Sequence, residues 1–154
     1  RGETPRRTCL RLAMEKAVTT AARQTNAFVV GADTVVSVGA RAMGKPASPA
    51  EAEEMFGLLS GRGHRVFTGV AVMAPDGRKA ARLVEARVRM KVLSRANIVA
   101  LLESGEWCDA AGGYRIQGRA GAFVTGLSGS YSAVVGLPLY ETIGLLEGLG
   151  FTRP

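Results

Sequence analysis

Residues 27–38 read Ala27-Phe28-Val29-Val30-Gly31-Ala32-Asp33-Thr34-Val35-Val36-Ser37-Val38, and the fold turns on how they are read. The opening run, Ala27 to Val30, is continuously apolar rather than alternating, as in a strand covered on both faces. A carboxylate follows at Gly31-Ala32-Asp33, where a break is expected before strand resumes at Thr34. Asp is a poor strand former. At a strand end it either caps a turn or projects into a cleft, where it can orient water or bind a divalent cation.

The flanking segments read as helices and one hairpin. A helix is expected over 5–24, with Leu10, Ala13, Ala17 and Ala21 on one face, Thr4 as cap and Pro5 in the first turn. Ser48-Pro49-Ala50-Glu51 reads as a capping box opening a helix that ends near Ser60-Gly61. Strands over 64–74 and 80–91 flank the turn Pro75-Asp76-Gly77-Arg78. In the second, Val84, Ala86, Val88 and Met90 alternate with Glu85, Arg87, Arg89 and Lys91, the period-two pattern of a half-exposed sheet. Ser94 opens a helix to Glu103, 105–121 is Gly-rich, and short strands are expected near 121–126 and 131–135 before Pro138 opens a last helix to Leu149. The pattern is mixed α/β.

The chain has 154 residues, one domain's worth over 1–154. With 47% hydrophobic and 21% charged residues it is neither disordered nor collagen-like. No apolar run approaches the ~20 residues of a membrane span. Cys9 and Cys108 alone supply neither a disulfide framework nor a four-cysteine zinc site, so a reducing cytoplasm is the expected compartment. The net charge is +7, and 16 of the 20 basic residues are Arg, which favours an anionic partner. These residues are scattered, with no dense run beyond Arg6-Arg7, so nucleic acid is not the expected partner.

Five segments could carry chemistry. Besides Asp33-Thr34 these are Gly44-Lys45-Pro46, the polar stretch 60–69 around the lone His64, Ala111-Gly112-Gly113-Tyr114-Arg115-Ile116-Gln117-Gly118, and 129–139. Lys45 could aim an ammonium at a phosphate from a fixed loop, although a solvated lysine is the commoner case. His64 reads as structural. Gln117 offers one acceptor and two donors, enough to read a base edge. For 129–139 a strand, a turn and a helix cap is the preferred reading, with an anion at the Pro138 helix start as the alternative. There is no serine or cysteine nucleophile signature, no GxxxxGK[ST] loop and no zinc spacing. What remains suits metal-assisted attack of water on a phosphate.

In order, Arg11-Leu12-Ala13-x-Glu15-Lys16-Ala17, Gly31-Ala32-Asp33-Thr34-Val35-Val36, Gly44-Lys45-Pro46, Leu59-Ser60-Gly61-Arg62-x-His64-x-Val66-x-Thr68-Gly69, Ala111-Gly112-Gly113-Tyr114-x-Ile116-Gln117-Gly118 and Gly129-Ser130-Tyr131-x-x-Val134-Val135-Gly136-Leu137-Pro138-Leu139 together resemble the Maf family of nucleoside triphosphate pyrophosphatases. The resemblance implies an α/β fold with an elongated mixed sheet flanked by helices, like that of the inosine triphosphate pyrophosphatases. It implies cleavage of a nucleoside triphosphate to the monophosphate and pyrophosphate with a divalent metal, Mg²⁺ or Mn²⁺. The proton acceptor and metal position falls on Asp33, the phosphate-facing lysines on Lys16 and Lys45, and positions tied to base selection on Thr34 and Gln117. The branch acting on dTTP and UTP carries Gln in this last motif, as here, and the branch acting on 7-methyl-GTP carries Glu. A homodimer is common in such families, and a catalytically weak regulator of septum formation is the alternative role.

Two departures stand out. The family opens with a strand and a Ser-x-Ser-Pro-Arg-Arg phosphate loop that nothing here matches. Thr4-Pro5-Arg6-Arg7 imitates it but lies too close to Arg11-Leu12-Ala13, so the first strand, first helix and loop are expected to be missing and the chain to turn over weakly or not at all. The family also places Lys or Arg just before Ala-Gly-Gly-Tyr, where this chain has Ala110 preceded by Asp109.

Overall fold

The computed structural model describes residues 2–152. Helix α1 (Pro5–Ala21) starts as expected, with the Thr4 hydroxyl accepting from the Arg7 N–H. It stops at Ala21 rather than Gln24, because the N–H groups of Arg23 and Gln24 bond three residues back and tighten the last turn. Its buried stripe is Cys9, Ala13 and Ala17, all small.

Strand β1 (Val29–Val38) runs through Gly31-Ala32-Asp33 without the expected break. It pairs antiparallel with β3 (Gly63–Met73), residue for residue from Val29↔Met73 to Ser37↔Arg65. Gly31 serves packing rather than a turn. A Cβ there would lie 2.3 Å from the Ala13 carbonyl oxygen, and one on Gly69 of β3 2.6 Å from that of Cys9. These two glycines let α1 settle directly on the sheet.

The sheet has five strands in the order β2-β1-β3-β4-β5, with β2 at Arg41–Met43, β4 at Lys79–Met90 and β5 at Val124–Ser128. The α/β arrangement of a sheet between helices is as expected, and the pairings among the described residues are all antiparallel rather than mixed in direction. Because β2 covers only Val36–Val38, the edge of β1 over 29–35 has no strand partner among the described residues. The β3–β4 hairpin closes as read, through the Gly77 N–H to Ala74 and the Ala74 N–H to Arg78.

The face away from α1 carries the larger core. Val36, Val66 and Val88 pack there against Phe56 and Leu59 of α2 (Pro49–Leu59) and Leu101 of α3 (Arg95–Glu103). Val70 and Val72 meet Leu145 and Leu149, at the end of α5 (Leu139–Gly148). The Ser48 hydroxyl caps α2, but the Glu51 carboxylate reaches back to the Ala47 N–H rather than closing a box. A reciprocal box forms instead at α3, between Ser94 and Asn97.

Residues 131–135 are a one-turn helix, α4 (Tyr131–Val135), not the expected strand. Ser130 accepts from the Ala133 N–H at one end and Gly136, at φ 127°, ends the turn at the other, so caps overrule the β-branched side chains between them. The strand expected near 121–126 begins only at Val124, after a 3₁₀ turn over Arg119–Phe123. Among the described residues no helix is long and apolar enough to cross a membrane.

Candidate active site

All five residues singled out for catalysis and substrate, Lys16, Asp33, Thr34, Lys45 and Gln117, line one cleft of about 180 Å³ at the open edge of β1. Four separate elements bring them there. Asp33 stands mid-strand opposite Gly69, so the ladder with β3 fixes its backbone. Its carboxylate is only 13% exposed. Lys16 Nζ donates to Asp33 Oδ1 at 2.6 Å and to the Ala32 carbonyl at 3.1 Å. No strand among the described residues pairs with this edge of β1 over 29–35. The glycine contacts under α1 set the height of Lys16 above the sheet.

Lys45 is held by a loop-to-loop contact. The Gly112 N–H donates to the Gly44 carbonyl at 2.9 Å, and Gly112 itself has φ 68° and lies against Val36. This clamp sets the Gly44-Lys45-Pro46 loop beside the Gly-Gly-Tyr loop. The Lys45 ammonium donates to the Asp109 carboxylate. Asp109 is the one described non-glycine residue with positive φ, 56°. The hydrogen bond from Lys45 holds its carboxyl below the usual range, with the nearby charges of Arg115 and Lys16 adding to the effect. Strained backbone of this kind clusters where structure serves ligands.

Thr34 projects to the other face of β1 from Asp33. Its hydroxyl meets that of Thr68 at 3.0 Å, and Thr68 donates to the Ala133 carbonyl at 2.7 Å, tying α4 to the cleft wall. Gln117 is exposed, and among the described residues its amide has no hydrogen-bond partner, so its donors and acceptor are available to a base edge. Ala110 lines the wall, 5% exposed, where the family pattern has a cation.

His64 is structural, as read. It is buried, and its Nε2 lies 2.7 Å from the hydroxyl of Tyr114, a cleft residue. Nδ1 has no partner. Burial pushes the His64 pKa down to about 4 and the Tyr114 pKa up. The start of α5 takes no part in the cleft, whose nearest wall is Val134–Gly136. A larger concavity, about 650 Å³ around Arg65, Arg87 and Arg89, holds none of the five.

Sequence reading missed Asp109 and Arg115 as cleft residues. Asp109 carried only a weak signal, a carboxylate two residues before a Gly-rich loop. Arg115 carried none. Its guanidinium is turned onto the carbonyls of Glu106 and Cys108, a contact set only by the loop's fold.

The chain is similar to known proteins over nearly all of its length. Three relatives named dTTP/UTP pyrophosphatase align over nearly the whole chain. That of Caulobacter vibrioides is 56% identical over 154 residues, covering 100% of this chain and 79% of its own length. That of Hyphomonas neptunium is 55% identical over 153 residues, or 99% and 79%. That of Maricaulis maris is 56% identical over 150 residues, or 97% and 72%. The family model described as Maf-like protein matches residues 1–149, and with relatives this similar the chain belongs to the Maf-like family.

Proposed function

We propose that this chain hydrolyses dTTP and UTP, or modified pyrimidine analogues, to the monophosphate and pyrophosphate. The observation that carries the reading is the convergence of Asp33, Lys16, Lys45 and Gln117 on one cleft. The names of the relatives point to the same substrates.

Water attacks the α-phosphorus, the new P–O bond forms as the bond to the bridging oxygen breaks, and pyrophosphate leaves. Asp33 accepts the proton of the attacking water. Lys16 and Lys45, each held beside a carboxylate in the free protein, transfer their hydrogen bonds to phosphate oxygens and stabilise the charge that builds there. The Gln117 amide accepts from N3–H and donates to O4 of uracil or thymine. A carboxylate there could only accept, which suits the donor-rich edge of a methylated guanine.

The donor set suits a divalent cation that arrives with the substrate. Among the described residues no group of three His, Cys, Asp or Glu could hold a metal alone. Mg²⁺ characteristically binds through one or two carboxylates plus phosphate oxygens and water, and Asp33 supplies such a carboxylate at the cleft. Bound there, the cation would neutralise phosphate charge.

The test is pyrophosphate release from a panel of triphosphates with Mg²⁺ or Mn²⁺, comparing the chain with Asp33→Asn. Turnover of dTTP or UTP that depends on Asp33 supports the reading. Preference for 7-methyl-GTP would move the substrate to the other branch, and nucleotide binding without turnover of any triphosphate would favour the regulatory role.

A further inference from the structure

We propose that Arg65, Arg87 and Arg89 form a second phosphate-binding site for a small multivalent phosphoanion, on the α1-bearing face of the sheet beyond that helix's N-terminal end. The inference does not rest on the pyrophosphatase reading. Arg65 of β3 is directly opposite Arg87 of β4, and Arg89 follows two residues along on the same face. Like charges directly across a ladder destabilise it. Relief from carboxylates is slight. Among the described residues Arg87 and Arg89 have no acidic partner within 4 Å, and Arg65 lies 4.0 Å from Glu85, which Arg6 already holds at 3.3 Å. Of the three cations only Arg65 has a share of a carboxylate, an arrangement that a bound anion would stabilise.

The floor is shaped to admit one. Arg89 is flanked across the sheet by Gly63 and Gly126, so that row lacks two side chains. A Cβ on Gly126 would meet nothing within 4 Å. The resulting concavity of about 650 Å³ is of the size that holds nucleotide-sized ligands. Ser128, opposite Arg87 on β5, adds a hydroxyl at the rim. Guanidinium forks match phosphate oxygens in pairs.

A small anion fits better than a nucleic-acid strand. Binding of single strands draws on aromatic platforms for the bases. The only ring among the residues lining this concavity is that of His64, engaged with Tyr114. Nearby Phe67 is buried, with the guanidiniums of Arg6 and Arg65 each 5.7 Å from its ring centre.

The experiment is calorimetric titration of the chain with inorganic pyrophosphate in metal-free buffer, where nothing is hydrolysed. The expected result is two sites. A Lys16→Met/Lys45→Met variant should lose one, and an Arg87→Gln/Arg89→Gln variant should weaken the other at least tenfold. The second variant should melt no lower than wild type, because its changes are exposed and relieve repulsion. Gly126→Asp, which sets a carboxylate in open space, should abolish the same site independently. One site lost only in the arginine variant would support this proposal and count against the cleft. One site lost only in the lysine variant, or two sites surviving Arg87→Gln/Arg89→Gln and Gly126→Asp, would overturn it. Tighter binding of a twelve-nucleotide single strand than of pyrophosphate, lost in the arginine variant, would also overturn it in favour of nucleic acid.

Discussion

The cleft and the arginine face lie on one sheet and treat positive charge in opposite ways. In the cleft each lysine is matched: Lys16 to Asp33 and Lys45 to Asp109. On the arginine face Arg87 and Arg89 have no acidic partner within 4 Å among the described residues. Matching fixes where an ammonium sits before substrate arrives. Both lysines are about half exposed, so exchanging their carboxylate partners for phosphate oxygens costs little. Guanidiniums without a carboxylate leave their charge for an anion to neutralise. The first arrangement suits positioned chemistry, the second simple capture.

The largest expected effect lies in the cleft. Asp33→Asn removes the proton acceptor and one negative charge. Turnover should fall by about 10²–10⁴-fold, the usual contribution of a positioned base. Pyrophosphate binding, followed by titration, should hold or tighten. Undiminished turnover would reduce Asp33 to an anchor for Lys16.

Glycine substitutions compare the two regions directly. Gly69→Ala drives a methyl into the backbone of α1 and should destabilise by about 1–3 kcal/mol, as overpacking does. Gly126→Ala on the arginine face meets nothing and should be neutral or slightly stabilising. Urea midpoints measure both, and equal losses would remove the close approach of α1 as the cause.

His64 joins the regions, since it lies on β3 between Gly63 and Arg65 and bonds the cleft residue Tyr114. Its folded pKa of about 4 lies below the ordinary 6.5. Above 6.5 it is neutral in both states and imposes no penalty. As pH falls toward 4 the unfolded chain takes up a proton that the folded chain refuses, so stability declines. The full window corresponds to about 3–4 kcal/mol. In His64→Gln, denaturation between pH 6.5 and 4.5 should depend less on pH. An unchanged slope would place the acid sensitivity elsewhere.

The smallest effect is expected at Asp109. Asp109→Gly relieves its positive φ and frees Lys45. Pyrophosphate affinity should rise a few-fold at most, since an exposed ion pair is a weak competitor. Weaker binding would show that Asp109 positions Lys45 rather than competing for it.

Much of the site was legible because its residues sit in short, distinctive segments. Lys16, Asp33, Thr34, Lys45 and Gln117 were all named from motifs, and all line the cleft. The local reading of Asp33 failed in an instructive way. Gly31 beside an Asp looks like a break, yet both lie within a continuous strand. The glycine answers to a helix 14 to 18 residues earlier in the chain, and no local window contains that contact. The 131–135 segment failed for the opposite reason. Its Val134-Val135 suggested a strand, whereas Ser130 and Gly136 had already marked the ends of a helical turn. Asp109 was passed over because its importance depends on Lys45, 64 positions away in the chain.

By itself the sequence determined helices α1, α2, α3 and α5, the β3–β4 hairpin, the neutral amide at Gln117 and the family. Propensity, period and caps act over a few residues and are written in consecutive positions. Only the tertiary structure decided that α1 rests on Gly31 and Gly69, that Lys16 reaches Asp33, that Asp109 holds Lys45, and that Arg65 and Arg87 face each other across a ladder. Those are contacts between distant segments, set by strand register and by how closely backbones can approach.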